Sequence, residues 1–111
     1  MIDFINIMED TVILAFIKES NIEKARTIVE AVKKSNLNIV EIDYSEIDYS
    51  IDNADYILNK LSNEHPEIIF AASDVSSKKD VENAVKNGAK YVSTRDLNLE
   101  IIEFSKEKSI L

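Results

Sequence analysis

In the run NIVEIDY (38–44), Glu41 stands between Val40 and Ile42, with Asp43 at the next alternate position. A carboxylate in such an apolar run is costly to bury unless it is paired. Buried carboxylates with displaced proton affinity gather at functional sites, and the chemistry open to one is proton transfer as a general acid or base. The plainer reading is a structural ion pair or an outward-facing acid, with Lys18 or Arg95 as the counter-charge. In parallel α/β folds ligands sit at the carboxyl ends of the strands. The residues at those ends are Lys18 after the first apolar run, Asp74 after the third, and Thr94, Arg95 and Asp96 after the fourth. Glu41 is therefore the candidate catalytic residue. Lys18, Asp74, Thr94 and Arg95 are the candidate substrate-binding residues, with Lys18 and Arg95 suited to an anion.

Other constellations carry less. The pentad EIDYS occurs twice, at 41–45 and 46–50, and places Asp43, Asp48, Asp52 and Asp55 near one another. A calcium loop of the EF-hand kind needs acids at alternate positions, a central glycine and a terminal glutamate. This spacing lacks them, so a solvated acidic loop is expected. The second copy has no apolar neighbours to sustain a strand and leads into a helix, so the pentads are an echo and not a structural repeat. His65 is the only histidine and there is no cysteine, which leaves no transition-metal ligand set and no thiol nucleophile. His65 precedes Pro66 at a helix end, where interaction with the helix dipole or water is expected. The chain has one glycine, so it has no glycine-rich loop of the kind that cradles phosphate. No metal and no cofactor are expected.

Net charge is −8, from 21 acidic and 13 basic residues, and no basic patch interrupts it. Direct binding to nucleic acid is not expected; an acidic inhibitor of a basic protein is one function this charge permits. No apolar run reaches the ~20 residues of a membrane span. The apolar start carries Asp3, Glu9 and Asp10 and lacks the form of a secretory signal, so a cytoplasmic location is expected. The 111 residues, 45% hydrophobic, suit a single domain over 1–111.

Four β-branched, apolar runs can place these side chains: TVILAFI (11–17), NIVEIDY (38–44), EIIFAAS (67–73) and KYVST (90–94). Helical patterns separate them. Ile22, Ala25, Ile28, Val29 and Val32 share one face, as do Ala54, Ile57, Leu58 and Leu61, and then Val81, Ala84 and Val85. The last segment puts Leu99, Ile102 and Ile110 on a face, with lysines near its end. Ser20 with Glu23 and Ser77 with Asp80 read as capping pairs, Ser50 or Asp52 as a cap for the second helix, and Gly88 as a left-handed helix stop. Strict βα alternation over four units predicts an α/β fold with parallel strands. Two architectures fit: half of a (βα)8 TIM-type barrel, or an open flavodoxin-like sheet.

Several segments also match known motifs. NIEKARTIVEAV reads like a helix of EAxxxAxAL type that follows a PV strand, and VEIDYSE like a strand IEVTLRT. HPEIIFAASDV resembles a helix end followed by P-x-x-x-x-GAGTV, and VENAVKNGAKYVSTRDLN resembles AxxAGAxFIVSPGxN, with Gly88-Ala89 in place. These are motifs of the KDPG/KHG aldolase family, class I aldolases that cleave 2-keto-3-deoxy-6-phosphogluconate or 4-hydroxy-2-oxoglutarate. The chain resembles the front half of that family from about Thr11 to Ile110. The resemblance implies a barrel, keto-acid chemistry, and for Glu41 the family's acid/base position. It also shows departures: Ser45 stands where the family has an anion-gripping arginine, Asp74 where it has the threonine of GAGTV, and Arg95-Asp96 where it has proline and glycine. The family's Schiff-base lysine lies on a later strand, beyond this sequence, and without it the iminium that serves as electron sink does not form.

The resemblance with its departures leads to a catalytically inactive aldolase-like half-barrel, acting as a protein-binding, assembly or regulatory module. The alternative is a residual lyase, completed by dimerisation or a second chain and acting on a small anionic keto acid. Half a barrel is expected to expose two sheet edges and an apolar inner face, which favours a homodimer or another protein partner.

Overall fold

A computed structural model describes residues 15–17, 21–45, 53–95 and 98–108. The elements are β1 (Ala15–Ile17), α1 (Ile22–Lys34), β2 (Ile39–Asp43), α2 (Ala54–Glu64), β3 (Ile69–Ser73), α3 (Lys78–Lys86) and α4 (Leu99–Glu107). The strands are parallel and ordered β1-β2-β3, with Phe16 in register with Glu41 and Glu41 with Ala71. KYVST takes the fourth place in the sheet, reduced to a single parallel bridge between Ala72 and Val92. Its backbone is still tied to β3, since Lys90 N–H donates to the Phe70 carbonyl at 2.8 Å and Ser93 N–H to that of Ala72 at 3.0 Å.

This order decides between the two expected architectures. A flavodoxin-like sheet places the first strand between the second and third. Here β2 lies between β1 and β3, and each new strand is added outside the last, as in a barrel wall.

Side chains alternate across the strands. Val40 and Ile42 of β2 and Phe70 and Ala72 of β3 join Ile17 in one core, packed with Ala25, Val29 and Val32 of α1, Ile57, Leu58 and Leu61 of α2, Val81 and Ala84 of α3 and Ile101 of α4. The intervening residues Ile39, Ile69, Ala71 and Tyr91 form a second cluster on the opposite face. All five residues of β3 are buried, as a strand covered on both faces requires. An apolar face was expected to stand open on this side. At these four positions it does not: Ile39 and Ala71 are 0% exposed, Ile69 6% and Tyr91 7%.

The helix starts show why these segments stop being strand or loop. Ser77 Oγ accepts from the Asp80 N–H at 3.0 Å, while Asp80 Oδ2 accepts from the Ser76 N–H at 3.0 Å. The other three caps are asparagines: Asn21, Asn53 and Asn98 accept from the N–H of Lys24, Tyr56 and Ile101. Asn21 thus replaces the expected Ser20, and Asn53 the expected Ser50 or Asp52; all three residue types can cap, and the one next to the first helical residue wins. Ser20, Ser50 and Asp52 lie outside the described residues. Gly88 follows α3 with φ 114, and a Cβ there would sit 2.8 Å from Ser62 Cβ, so both conformation and space demand glycine.

In α4 the packed face differs from expectation. Leu99 is 66% exposed, whereas Ile101 and Ser105 are buried. The Asn98 cap starts the helix so that Ile101, not Leu99, meets the core. Ile110 lies outside the described residues. Among the described residues no helix is long and apolar enough to cross a membrane.

Candidate functional site

Glu41 shares its face of β2 with Ile39, opposite Val40 and Ile42. Its partner is Tyr91, whose hydroxyl donates to Glu41 Oε2 at 2.5 Å. Burial first, and then the bond to Glu41, pushes the Tyr91 phenol well above its usual range. Tyr91 therefore keeps its proton and acts as the donor. Among the described residues it is this neutral donor that satisfies the carboxylate beside Ile39, Ile69 and Ala71.

Arg95, one of the two expected counter-charges, is committed elsewhere. Its Nη2 donates to Asp74 Oδ2 at 2.9 Å. The strand parity of KYVST accounts for the difference. Tyr91 falls on the face opposite Val92 and so meets Glu41, whereas Arg95 is past the strand end and meets Asp74 there. Lys18, the other expected counter-charge, lies outside the described residues, as does Asp96.

The carboxyl ends of β2, β3 and the fourth strand enclose a cavity of about 270 Å³. Its lining includes Ser45 after β2, Asp74 and Ser76 after β3, Thr94 and Arg95 after the fourth strand, and Asn98 at the start of α4. Three expected binding residues, Asp74, Thr94 and Arg95, are thus brought together, while Glu41 is not part of this lining. Two hydrogen bonds hold the rim: Val75 N–H donates to the Ser93 carbonyl at 3.0 Å and Tyr44 N–H to that of Ser73 at 2.9 Å. Asp74 has φ 56, the left-handed region that aspartate tolerates better than most residues. Its side chain is 24% exposed and that of Arg95 72%, so the acid is the sheltered member of the pair.

Sequence reasoning did not find Tyr91, Ser76 or Asn98. The parity of Tyr91 in KYVST was a usable signal. The other two enter only because α3 and α4 begin at the rim, with the partial positive ends of both helices turned toward it.

The acidic stretch is occupied internally where it is described. Asp43 Oδ1 accepts from the Ser45 N–H at 2.8 Å, and Asp55 Oδ1 from the Tyr44 hydroxyl at 2.6 Å. Burial, then the Asp55 bond, raises the Tyr44 phenol as well. Asp48 and Asp52 lie outside the described residues. His65 caps the end of α2 just before β3, and so lies at the amino end of the strands, opposite the cavity; its ring is buried, and Nδ1 stands 3.6 Å from Glu67 Oε1.

These features define a class: the βα wall of a TIM-type barrel with a cavity at its strand ends. Residues 4–111 match the KDPG and KHG aldolase family, and the chain belongs to it. No curated protein sequence matches it. Among solved structures, the KDPG aldolase of Legionella pneumophila with pyruvate captured as a covalent carbinolamine is similar with a TM-score of 0.81 at 17% identity, over 94% of this chain and 48% of that one. The 2-keto-3-deoxy-6-phosphogluconate aldolase of Zymomonas mobilis ZM4 with 3-phosphoglycerate is similar with a TM-score of 0.81 at 18% identity, over 97% of this chain and 49% of that one. The chain spans about half the length of the aldolases it matches.

Proposed function

We propose that this aldolase-family domain is catalytically silent and serves as a binding module. The observation that carries this is the Asp74–Arg95 pair at the cavity. A carboxylate stands where the family motif has a neutral threonine, and the guanidinium that would hold an anionic keto acid is already neutralised at 2.9 Å. An incoming carboxylate would compete with Asp74 for Arg95 and be repelled by the charge of that acid. The Glu41–Tyr91 bond points the same way, since one oxygen of the family's acid/base glutamate already accepts a phenol proton donor.

The test is to incubate the purified chain with pyruvate and borohydride, measure its intact mass, and assay pyruvate release from 2-keto-3-deoxy-6-phosphogluconate. Unmodified mass and no release are expected. A reduced pyruvate adduct, or release at an enzyme-like rate, would overturn the reading in favour of a residual lyase. One observation favours that second reading: Glu41 is on the same sheet face as the inner cluster, the side on which a barrel's interior lies. In a lyase, Glu41→Gln abolishes turnover while the fold survives; in a silent module it changes stability alone.

A further inference from the structure

We propose that Asn87–Gly88 is a self-modification site. When the end of α3 opens, Asn87 converts through a succinimide to aspartate and isoaspartate, and the conversion loosens the start of the fourth strand. This stands independently of the binding-module reading.

The chain has a single glycine, so Asn87 is its one asparagine followed by glycine. The successor matters because the next residue's backbone nitrogen is the attacking group, and glycine has no side chain to obstruct it. Gly88 N gives its proton to a base in solvent and bonds to Asn87 Cγ. The Cγ–Nδ2 bond breaks, and ammonia leaves carrying a proton in place of the one lost. Water then adds to either ring carbonyl. One opening gives aspartate; the other routes the main chain through the side chain and gives isoaspartate. Asn36, just past the end of α1 at φ 59, supplies the contrast, since the branched Leu37 follows it.

The closed fold holds the reaction off in three ways. Gly88 N–H donates to the Val85 carbonyl at 3.2 Å, so its proton is engaged. Asn87 Nδ2 donates to the Asn83 carbonyl at 2.7 Å, which turns the side-chain amide back along the helix. Asn87 has ψ 5, and near zero the following nitrogen eclipses the residue's own nitrogen instead of its Cβ, so Gly88 N is turned away from Cγ. Releasing all three requires only that the last turn of α3 open, and helix ends open far more readily than the whole fold.

The product does not fit the closed junction. The Asn83 carbonyl accepts from both the N–H and the Nδ2 of Asn87. An aspartate carboxylate has no N–H to give and adds negative charge at the negative end of the helix dipole. Isoaspartate also lengthens the main chain where contacts are tight. The Ser62 hydroxyl is shared between the carbonyls of Asn87, at 3.1 Å, and Asn59, at 3.2 Å. Ala89 N–H donates to the Ala84 carbonyl at 2.9 Å, and Lys90 N–H to that of Phe70 at 2.8 Å. Tyr91, the partner of Glu41, comes next in the chain.

The experiment is a timed incubation of the intact chain at mildly alkaline pH, with and without urea, followed by peptide mapping by mass spectrometry. The peptide holding residue 87 should gain the mass difference between an amide and an acid, and resolve into aspartate and isoaspartate forms. The folded chain should react about ten- to a hundred-fold more slowly than the chain in urea, the fraction of time for which the helix end is open. Ser62→Ala should speed the folded reaction and leave the reaction in urea unchanged. In Asn87→Asp, hydrogen exchange should quicken at Gly88, Ala89 and Lys90. Absence of conversion in the folded chain over about a hundred of the half-lives seen in urea overturns the site. So does faster conversion at Asn36 or another asparagine. Equal rates with and without urea overturn the gating by α3, and unchanged exchange in Asn87→Asp overturns the link to the fourth strand. A borohydride-trapped pyruvate adduct would sink the binding-module reading and leave this one standing.

Discussion

Val40 and Ile42 point to the helices while Glu41, between them, points the other way, so one short strand serves two unlike environments. The helix-covered face is built mainly from apolar side chains and draws on all four helices. The opposite face mixes three aliphatic residues with a tyrosine whose hydroxyl satisfies a carboxylate. Asp74, just past β3, sets a third condition, a carboxylate at a cavity paired with a cation. The difference teaches where stability and specificity reside. Apolar packing is non-directional and tolerates many sequences. The two carboxylate pairs depend on directional contacts to named residues, Tyr91 and Arg95.

Substitutions can break the comparison between the faces. The largest effect is expected on the helix side. Phe70 is 1% exposed in the main core, and Phe70→Ala should cost about 3–5 kcal/mol in denaturant unfolding. A loss below that of Tyr91→Phe would mean that the helix-covered face is not the main store of stability.

Next comes the inner face. Tyr91→Phe keeps the ring and removes the donor, leaving Glu41 unsatisfied there at a cost of about 1–3 kcal/mol. Combining it with Glu41→Leu should restore most of the loss, because removing both polar groups is far less costly than removing one. Additive losses in that double-mutant cycle would show that the bond does not couple the two residues.

Titration sharpens the contrast without mutation. Tyr91 and Tyr44 both have raised phenol affinities, so the folded state holds these protons more tightly than the unfolded state. Their contribution is complete below the ordinary phenol value of about 10 and is lost as pH rises beyond it. Tyrosinate absorbance of the folded chain should lag behind that of the unfolded chain, and stability should fall on the alkaline side. Tyr44→Phe and Tyr91→Phe together should flatten that fall.

The smallest effect is expected on the solvent surface. Arg26 bridges Glu64 at 2.8 Å and Glu23 at 2.6 Å, and its hydrogen bond lowers the proton affinity of Glu64. A lowered carboxylate stabilises above its ordinary range and ceases to do so as pH falls through the folded value. Arg26→Gln should barely move the melting temperature at neutral pH and should make the acid limb of the stability profile shallower. A large change at neutral pH would mark this bridge as structural.

Much of the fold was legible in the chain because it follows local rules. Short apolar, β-branched runs and period-3.6 faces located β2, β3 and the packed sides of α1, α2 and α3. The Ser77–Asp80 pair and Gly88 marked the two ends of α3. Caps were less legible, since Ser20, Asn21, Ser50, Asp52 and Asn53 are all competent and only the phase of the packed helix chooses among them. The same phase exposed Leu99 and buried Ile101.

The sequence by itself determined the residue types at the strand ends: two acids in β2, an acid after β3, and a threonine and an arginine after the fourth strand. Only the tertiary structure decided who meets whom. Strand order brought Tyr91 to Glu41 across β3, and the left-handed turn at Asp74 brought its carboxylate to Arg95. Such pairs span 50 and 21 residues, and no local pattern records a contact at that separation. The register of parallel strands, set by burial on both faces at once, selects it.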